Sequence, residues 1–299
     1  MINNMPATTL HIADFAVQLV LDTPDFELPA NYRPFIAPSA SPTAASLLTM
    51  TVNDEPIATD GAKLLSSFED LGYRQEVFLQ EEGGYIFQIY SCSGQLAATM
   101  KSAPRFDSNR VCLYSSDSEL KKFGFNNTLM IAFAFSSAYR ATLMMHSSVV
   151  AKDGKAYMFL GKSGTGKSTH SSLWLRHIYG YHLLNDDNPV LRVRDGKLFV
   201  YGSPWSGKTP CYRQESAEAG ALVMLEQKPN YKISRERVVA ALSSLLCSCS
   251  VMIWDRSSYA EIMRTIEQVI TLRGVYHLEC LPDEAAARLC HSTIADAKE

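Results

Sequence analysis

The stretch Gly161-Lys162-Ser163-Gly164-Thr165-Gly166-Lys167-Ser168 fits G-x-x-x-x-G-K-[ST] at every fixed position. It follows the apolar run Ala156 to Leu160 and opens a helical pattern carrying Leu173, Trp174 and Ile178. No other feature constrains the fold as tightly, because the loop demands a strand, a tight turn and a helix N-terminus in that order. Glycines let backbone N–H groups turn inward around phosphate oxygens, and the helix N-terminus adds partial positive charge. Lys167 is placed to reach the β and γ phosphates of a nucleotide, Ser168 to offer a hydroxyl to Mg²⁺, and Thr169 follows directly. An accidental match has odds on the order of 1 in 100 at typical residue usage.

A second constellation lies 19 residues beyond Lys167, where Leu183-Leu184-Asn185-Asp186-Asp187 ends an apolar run in two carboxylates. Phosphoryl transfer with ATP needs one carboxylate on Mg²⁺ and gains from a second that takes the acceptor's proton. Adjacent strand residues point to opposite faces, so both can serve only if the strand ends or twists there. Asn188-Pro189 supplies such an end. The short spacing predicts that the carboxylate strand neighbours the loop strand, with one crossover helix between them. Further on, the segment Tyr201 to Arg213 is rich in Gly, Pro and Ser and carries exposed-type aromatics. It can bring Lys208 or Arg213 onto a transferring phosphate, or it is a surface loop with two solvated cations.

Around these motifs the chain reads as α/β, with an N-terminal part of different character. From Gln75 to Ser115 apolar and polar residues roughly alternate between Gly and Pro turns, which predicts an antiparallel meander. Leu10 to Leu21 and Ala45 to Val52 read as further strands, and Pro34 to Pro42 as a loop. Asn127 or Thr128 is the expected cap of a helix running to about Met144. Beyond it strands alternate with helices: Ser147 to Lys152, Lys155 to Leu160, a helix from Lys167 to about Tyr179, and His182 to Asp187. Ala221 to Glu226, helices near Arg235 to Cys247 and Ser258 to Leu272, Val275 to Cys280 and a helix after Pro282 complete the succession. Asp153-Gly154 and Asp195-Gly196 are hairpin signals, so the sheet is expected to be mixed. The expected domains are a β-rich one over 1–125 and a P-loop domain over 126–299.

Composition removes several functions. Lys plus Arg total 28 against 31 for Asp plus Glu, a formal charge of -3, so no basic excess exists to neutralise nucleic-acid phosphates. The longest apolar run, Leu129 to Phe135, is far shorter than the roughly 18 residues of a bilayer crossing. Asp14 interrupts what would be a signal-peptide core, and seven cysteines form an odd set without C-x-x-C, so a cytoplasmic protein with buried, reduced thiols is expected. Cys247-Ser248-Cys249 lacks companion ligands and reads as metal-free. His170 fits a helix surface better than an approach to nucleotide.

Met145-His146-Ser147-Ser148-Val149-Val150, the Asp153-Gly154 hairpin, GKSGTGKS and LLNDD together resemble the catalytic domain of HPr serine kinase/phosphorylase. They resemble more distantly the ATP-dependent phosphoenolpyruvate carboxykinases. The likeness covers about residues 140 to 290 and is specific in the loop and Asp-Asp parts. It implies a mixed-sheet P-loop kinase domain using ATP and Mg²⁺, with Asp186 as general base, Asp187 nearer the metal and His146 beside the pair. The Gly202-to-Lys208 segment is similar to a G-x-P-W-x-G-K stretch of related kinase-like proteins. The resemblance also implies assembly into a homo-oligomer and a hydroxyl acceptor on a peptide, protein or small molecule. The first 125 residues do not resemble that enzyme's N-terminal domain, which sets HPr itself aside as acceptor. Two alternatives stay open: a carboxykinase acting on a small carboxylic acid, and a non-catalytic nucleotide sensor or scaffold.

Overall fold

The computed structural model describes residues 7–23, 26–38, 46–70, 73–207 and 209–295. Packing divides the chain into two units, Met1–Ser137 and Ala138–Glu299. Both are built on mixed sheets, and the whole is of mixed α/β type.

The first unit contains β1 (Ala7–Ile12), β2 (Phe15–Asp22), β3 (Leu48–Asn53), β4 (Lys63–Asp70), β5 (Tyr73–Leu79), β6 (Tyr85–Tyr90), β7 (Leu96–Ser102), β8 (Ser108–Leu113) and the helix α1 (Ser118–Ala138). Its sheet runs β1-β2-β3-β8-β7-β6-β5-β4. The strands from β4 to β8 form an antiparallel meander, while β3 pairs in parallel with β2 and β8. β5 to β8 occupy the stretch expected from alternation. β4 was not anticipated, because Leu64 and Phe68 face solvent and leave no alternating apolar pattern.

Three expectations in this unit need correction. Leu10 to Leu21 is a hairpin, not one strand: Ala13 and Asp14 turn the chain at φ 50° and 62°, a left-handed pair with no glycine to announce it. Pro34 sits inside a short 3-10 helix, Ala30–Phe35, and residues 39–45 of the neighbouring expectations lie outside the described residues. α1 starts well before Asn127 and ends at Ala138, short of Met144. Its first turn is capped by Asp117, whose Oδ1 accepts from the Glu119 N–H at 2.8 Å. Asn127 and Thr128 instead bond back to the carbonyls of Phe123 and Gly124, one turn earlier. Phe125 and Phe133 of α1 pack on Tyr32 and Phe15 of the same unit.

In the second unit follow β9 (Thr142–Met144), β10 (Ser147–Lys152), β11 (Lys155–Leu160), α2 (Lys167–His177), β12 (His182–Asp187), β13 (Val190–Arg194), β14 (Lys197–Tyr201), β15 (Ser216–Gln227), β16 (Lys232–Arg235), α3 (Val238–Leu246), α4 (Arg256–Leu272), β17 (Val275–Cys280) and α5 (Glu284–Ile294). The order is β12-β10-β11-β15-β14-β13-β9, and β17 also pairs with β15 and carries β16. β11, β15 and β17 are parallel, whereas β10 runs antiparallel to both β11 and β12. Asp153-Gly154 and Asp195-Gly196 turn their hairpins at positive φ in all four residues.

Both faces of this sheet are covered, which is why its central strands read as continuous apolar runs. Val149, Met158, Leu184 and Leu222 pack with Leu245, Ile262, Ile266 and Val269 of α3 and α4. On the other face Val150, Phe159 and Val223 pack with Leu173 and Trp174 of α2 and Ala286 and Cys290 of α5. The carboxylate strand β12 does not adjoin the loop strand β11, contrary to expectation. β10 lies between them, because the Asp153-Gly154 hairpin folds it onto β11 before the crossover through α2 reaches the sheet. Among the described residues no helix is long and apolar enough to cross a membrane.

Candidate functional site

β11 and β12 run in the same direction with β10 between them, so their C-terminal ends and the start of β10 meet at one sheet edge. The loop after β11 brings Gly161 to Ser168 there, and the end of β12 brings Asp186 and Asp187. Ser163, Gly164, Gly166, Lys167 and Ser168 of the loop and both carboxylates line a cleft of about 360 Å³ together with His146, Ser147, Ser148, Thr169 and Gly207.

The loop's conformation follows from its glycines. Gly164 and Gly166 hold φ of 83° and 95°, and Gly161 holds 147°. A Cβ on Gly161 would come within 2.4 Å of Thr165 Oγ1. α2 begins immediately after Gly166, so its first N–H groups have no helical acceptors of their own. Lys167 Nζ donates to the carbonyls of Gly161 at 2.9 Å and Lys162 at 3.3 Å, folded back across the loop's own mouth. Burial pushes the Lys167 ammonium below its ordinary range, and the Asp187 and Asp186 carboxylates oppose that.

Asp186 is buried and accepts from Ser148 Oγ at 2.7 Å; Ser148 in turn is 2.6 Å from Ser171 Oγ of α2. Asp187 is half-exposed, with His146 Nδ1 3.2 Å from Oδ1 and Asn188 Nδ2 2.7 Å from Oδ2. Both carboxylates reach the cleft because β12 stops at Asp187, where Asn185 Oδ1 accepts from the Asp187 N–H and Pro189 follows. Asn185 then donates from Nδ2 to Trp205 O, and Gly207 N–H donates to Asp186 O at 2.9 Å. These bonds staple the segment after β14 onto the end of β12.

That segment departs from its expected character. Tyr201 and Trp205 are only 4% and 5% exposed, so these two aromatics are anchors and not a displayed surface. Arg213 is exposed, lies against Cys211 and does not line the cleft. Lys208 lies outside the described residues. His170 is also displaced from expectation: it faces the core at 3% exposure, takes a bond from Trp174 Nε1 and touches Phe159. Among the cysteines, Cys92 and Cys247 are exposed, contrary to uniformly buried thiols.

The donor set fits a triphosphate with a hard cation. Ser168 Oγ and the Asp187 carboxylate are oxygen ligands of the kind Mg²⁺ takes. Ser147 Oγ, buried behind the cleft wall, has no hydrogen-bond partner among the described residues. Ser147, Ser148 and Gly207 lie in stretches that carry the resemblance but had no role assigned there, and Ser171 carried no pattern; only the register of β10 against β12 brings Ser148 opposite Asp186.

No family model matches this chain, and no curated protein does. Among solved structures, the Hpr(Ser) kinase/phosphatase from Coxiella burnetii is similar at 12% identity, over 50% of this chain and 91% of that chain, with a TM-score of 0.27. A likeness that loose carries no weight here, and the functional reading rests on the cleft's own residues.

Proposed function

We propose that this chain is an ATP- and Mg²⁺-dependent kinase that delivers the γ-phosphoryl group to a serine-type hydroxyl of a peptide, protein or small molecule. One observation carries the reading: the glycine-rich loop with Lys167 and the carboxylates Asp186 and Asp187 line the same cleft. In this reading the second unit, Ala138–Glu299, forms a P-loop catalytic domain of the HPr kinase type; α1 belongs with the β-rich first unit, so the division falls at 137/138 and not at the expected 125/126.

The loop amides from Gly161 to Thr169 hold phosphate oxygens, and Lys167 leaves its loop carbonyls for the β and γ phosphates. Ser168 and Asp187 hold Mg²⁺, which neutralises charge on the bridging phosphates when bound. Asp186 takes the acceptor's hydroxyl proton as that oxygen bonds to the γ phosphorus. The bond from the same phosphorus to the bridging oxygen breaks, and ADP leaves. His146 tunes the metal-side carboxylate through its contact with Asp187. Charge compensation falls to Lys167.

The test is transfer of labelled phosphate from ATP with Mg²⁺ to a panel of serine-bearing peptides and small hydroxyl compounds. Asp186→Asn is expected to bind ATP and transfer nothing. Full transfer by that variant would remove Asp186 as base. Binding of ATP by the native chain without turnover on any acceptor would replace the kinase with a nucleotide sensor.

A further inference from the structure

The direction of the hydrogen bonds behind Asp186 follows from counting protons. Ser148 Oγ donates to Asp186 Oδ1 at 2.7 Å, and that bond uses the single hydroxyl proton of Ser148. Ser148 can then only accept at its 2.6 Å contact with Ser171, whose proton points back along the chain. The order Ser171 to Ser148 to Asp186 is therefore fixed, and all three residues are buried. Ser171 belongs to α2, the helix that the phosphate loop opens, and Ser148 to β10, between the loop strand and the carboxylate strand.

The terminal torsion of an aspartate is soft, and among the described residues Ser148 is the side-chain donor that sets the plane of the buried Asp186 carboxylate. We propose that Ser148, oriented by Ser171, is a positioning residue that fixes the Asp186 carboxylate in the cleft and ties it to the phosphate-loop helix. This rests on the kinase reading for what the positioned carboxylate does. The hydrogen-bonded link itself does not depend on that reading.

Two readouts separate the two. In equilibrium unfolding, Ser148→Ala should lower the folding constant by about tenfold or more in the native chain, the usual loss for a bond to a charged group. In an Asp186→Ala background the same change should cost roughly threefold or less, since the acceptor is gone. Equal losses in both backgrounds overturn the link, whether or not the protein transfers phosphate.

In the transfer assay, Ser148→Ala should lower kcat by about tenfold or more while KM for ATP stays within about twofold, the signature of an interaction expressed at the transition state. Ser171→Ala should lower kcat in the same direction but less. Ser148→Thr, which keeps the hydroxyl, should recover most of the loss. A native-like kcat in Ser148→Ala, or a loss carried by KM, overturns the positioning role. So does phosphate found on Ser148 itself by mass spectrometry after incubation with ATP and Mg²⁺, because Ser148 would then be an acceptor. If the native chain transfers to no acceptor, the kinase reading fails and the unfolding cycle alone judges the link.

Discussion

The indole N–H of Trp174 donates to His170 Nε2 at 3.1 Å, one turn apart on the buried side of α2. Nε2 must be unprotonated to accept, so the ring is neutral and burial pushes its pKa down to about 4. The unfolded chain's histidine titrates near 6.5. Between those values the unfolded state binds the extra proton, so stability is full above about 6.5 and is lost as pH falls toward about 4. The expected loss between pH 7 and 5 from this group is about 2 kcal/mol. Urea unfolding of the native chain and His170→Gln at both pH values checks it: the variant should lose about 2 kcal/mol less over that interval. Identical losses would mean that His170 is not the buried neutral base described.

The ammonium of Lys167 rests on the carbonyls of Gly161 and Lys162, a resting place inside the loop that a phosphate would take over. Lys167→Met is therefore expected to leave the fold intact and weaken ATP binding by roughly 10 to 100-fold, the worth of a charge-assisted contact. Calorimetric titration with ATP gives the number. Unchanged affinity would place the phosphates elsewhere.

β10, β11, β12 and β17 could be read from the sequence to the residue, because each is short and apolar in part and is bounded by turn or loop residues such as Asp153-Gly154, Asn188-Pro189 and Pro282. The phosphate loop was equally legible, since its chemistry is local to eight residues. What failed was non-local or unsignalled. The Ala13-Asp14 turn adopts positive φ without glycine, and β4 exposes its apolar residues. Ser148 meets Asp186 only through strand register, which spacing along the chain does not encode. For His170 a signal existed: it precedes Trp174 by four residues, and i, i+4 places both on one helix face.

Asp187 has both carboxylate oxygens engaged, by His146 and by Asn188, so a cation arriving there competes with existing partners. Asp187→Asn is expected to raise the Mg²⁺ concentration for half-maximal transfer by about tenfold or more, the worth of one charged ligand. Chelation should abolish transfer in the native chain and Mg²⁺ should restore it. A variant with an unchanged Mg²⁺ requirement would take Asp187 out of the metal site.

Gly207 packs tightly against the end of the carboxylate strand. A Cβ there would lie 2.7 Å from Asp186 O and 3.3 Å from Asp187 Cβ, and backbone cannot swing aside as a side chain does. Gly207→Ala is thus expected to cost about 1–3 kcal/mol by overpacking. It should also lower transfer by displacing both carboxylates, while ATP binding stays near native because the phosphate loop belongs to another strand. Gly196→Ala is the control. Its added Cβ meets nothing within 4 Å, yet its φ of 72° makes alanine cost about 1–2 kcal/mol, at a hairpin turn that does not line the cleft. Comparing melting temperature and kcat for the two variants separates lost stability from lost geometry. If both lose transfer equally, the contact at Gly207 does not govern the carboxylates. If only Gly207→Ala does, the end of β12 is held in its working position by that contact.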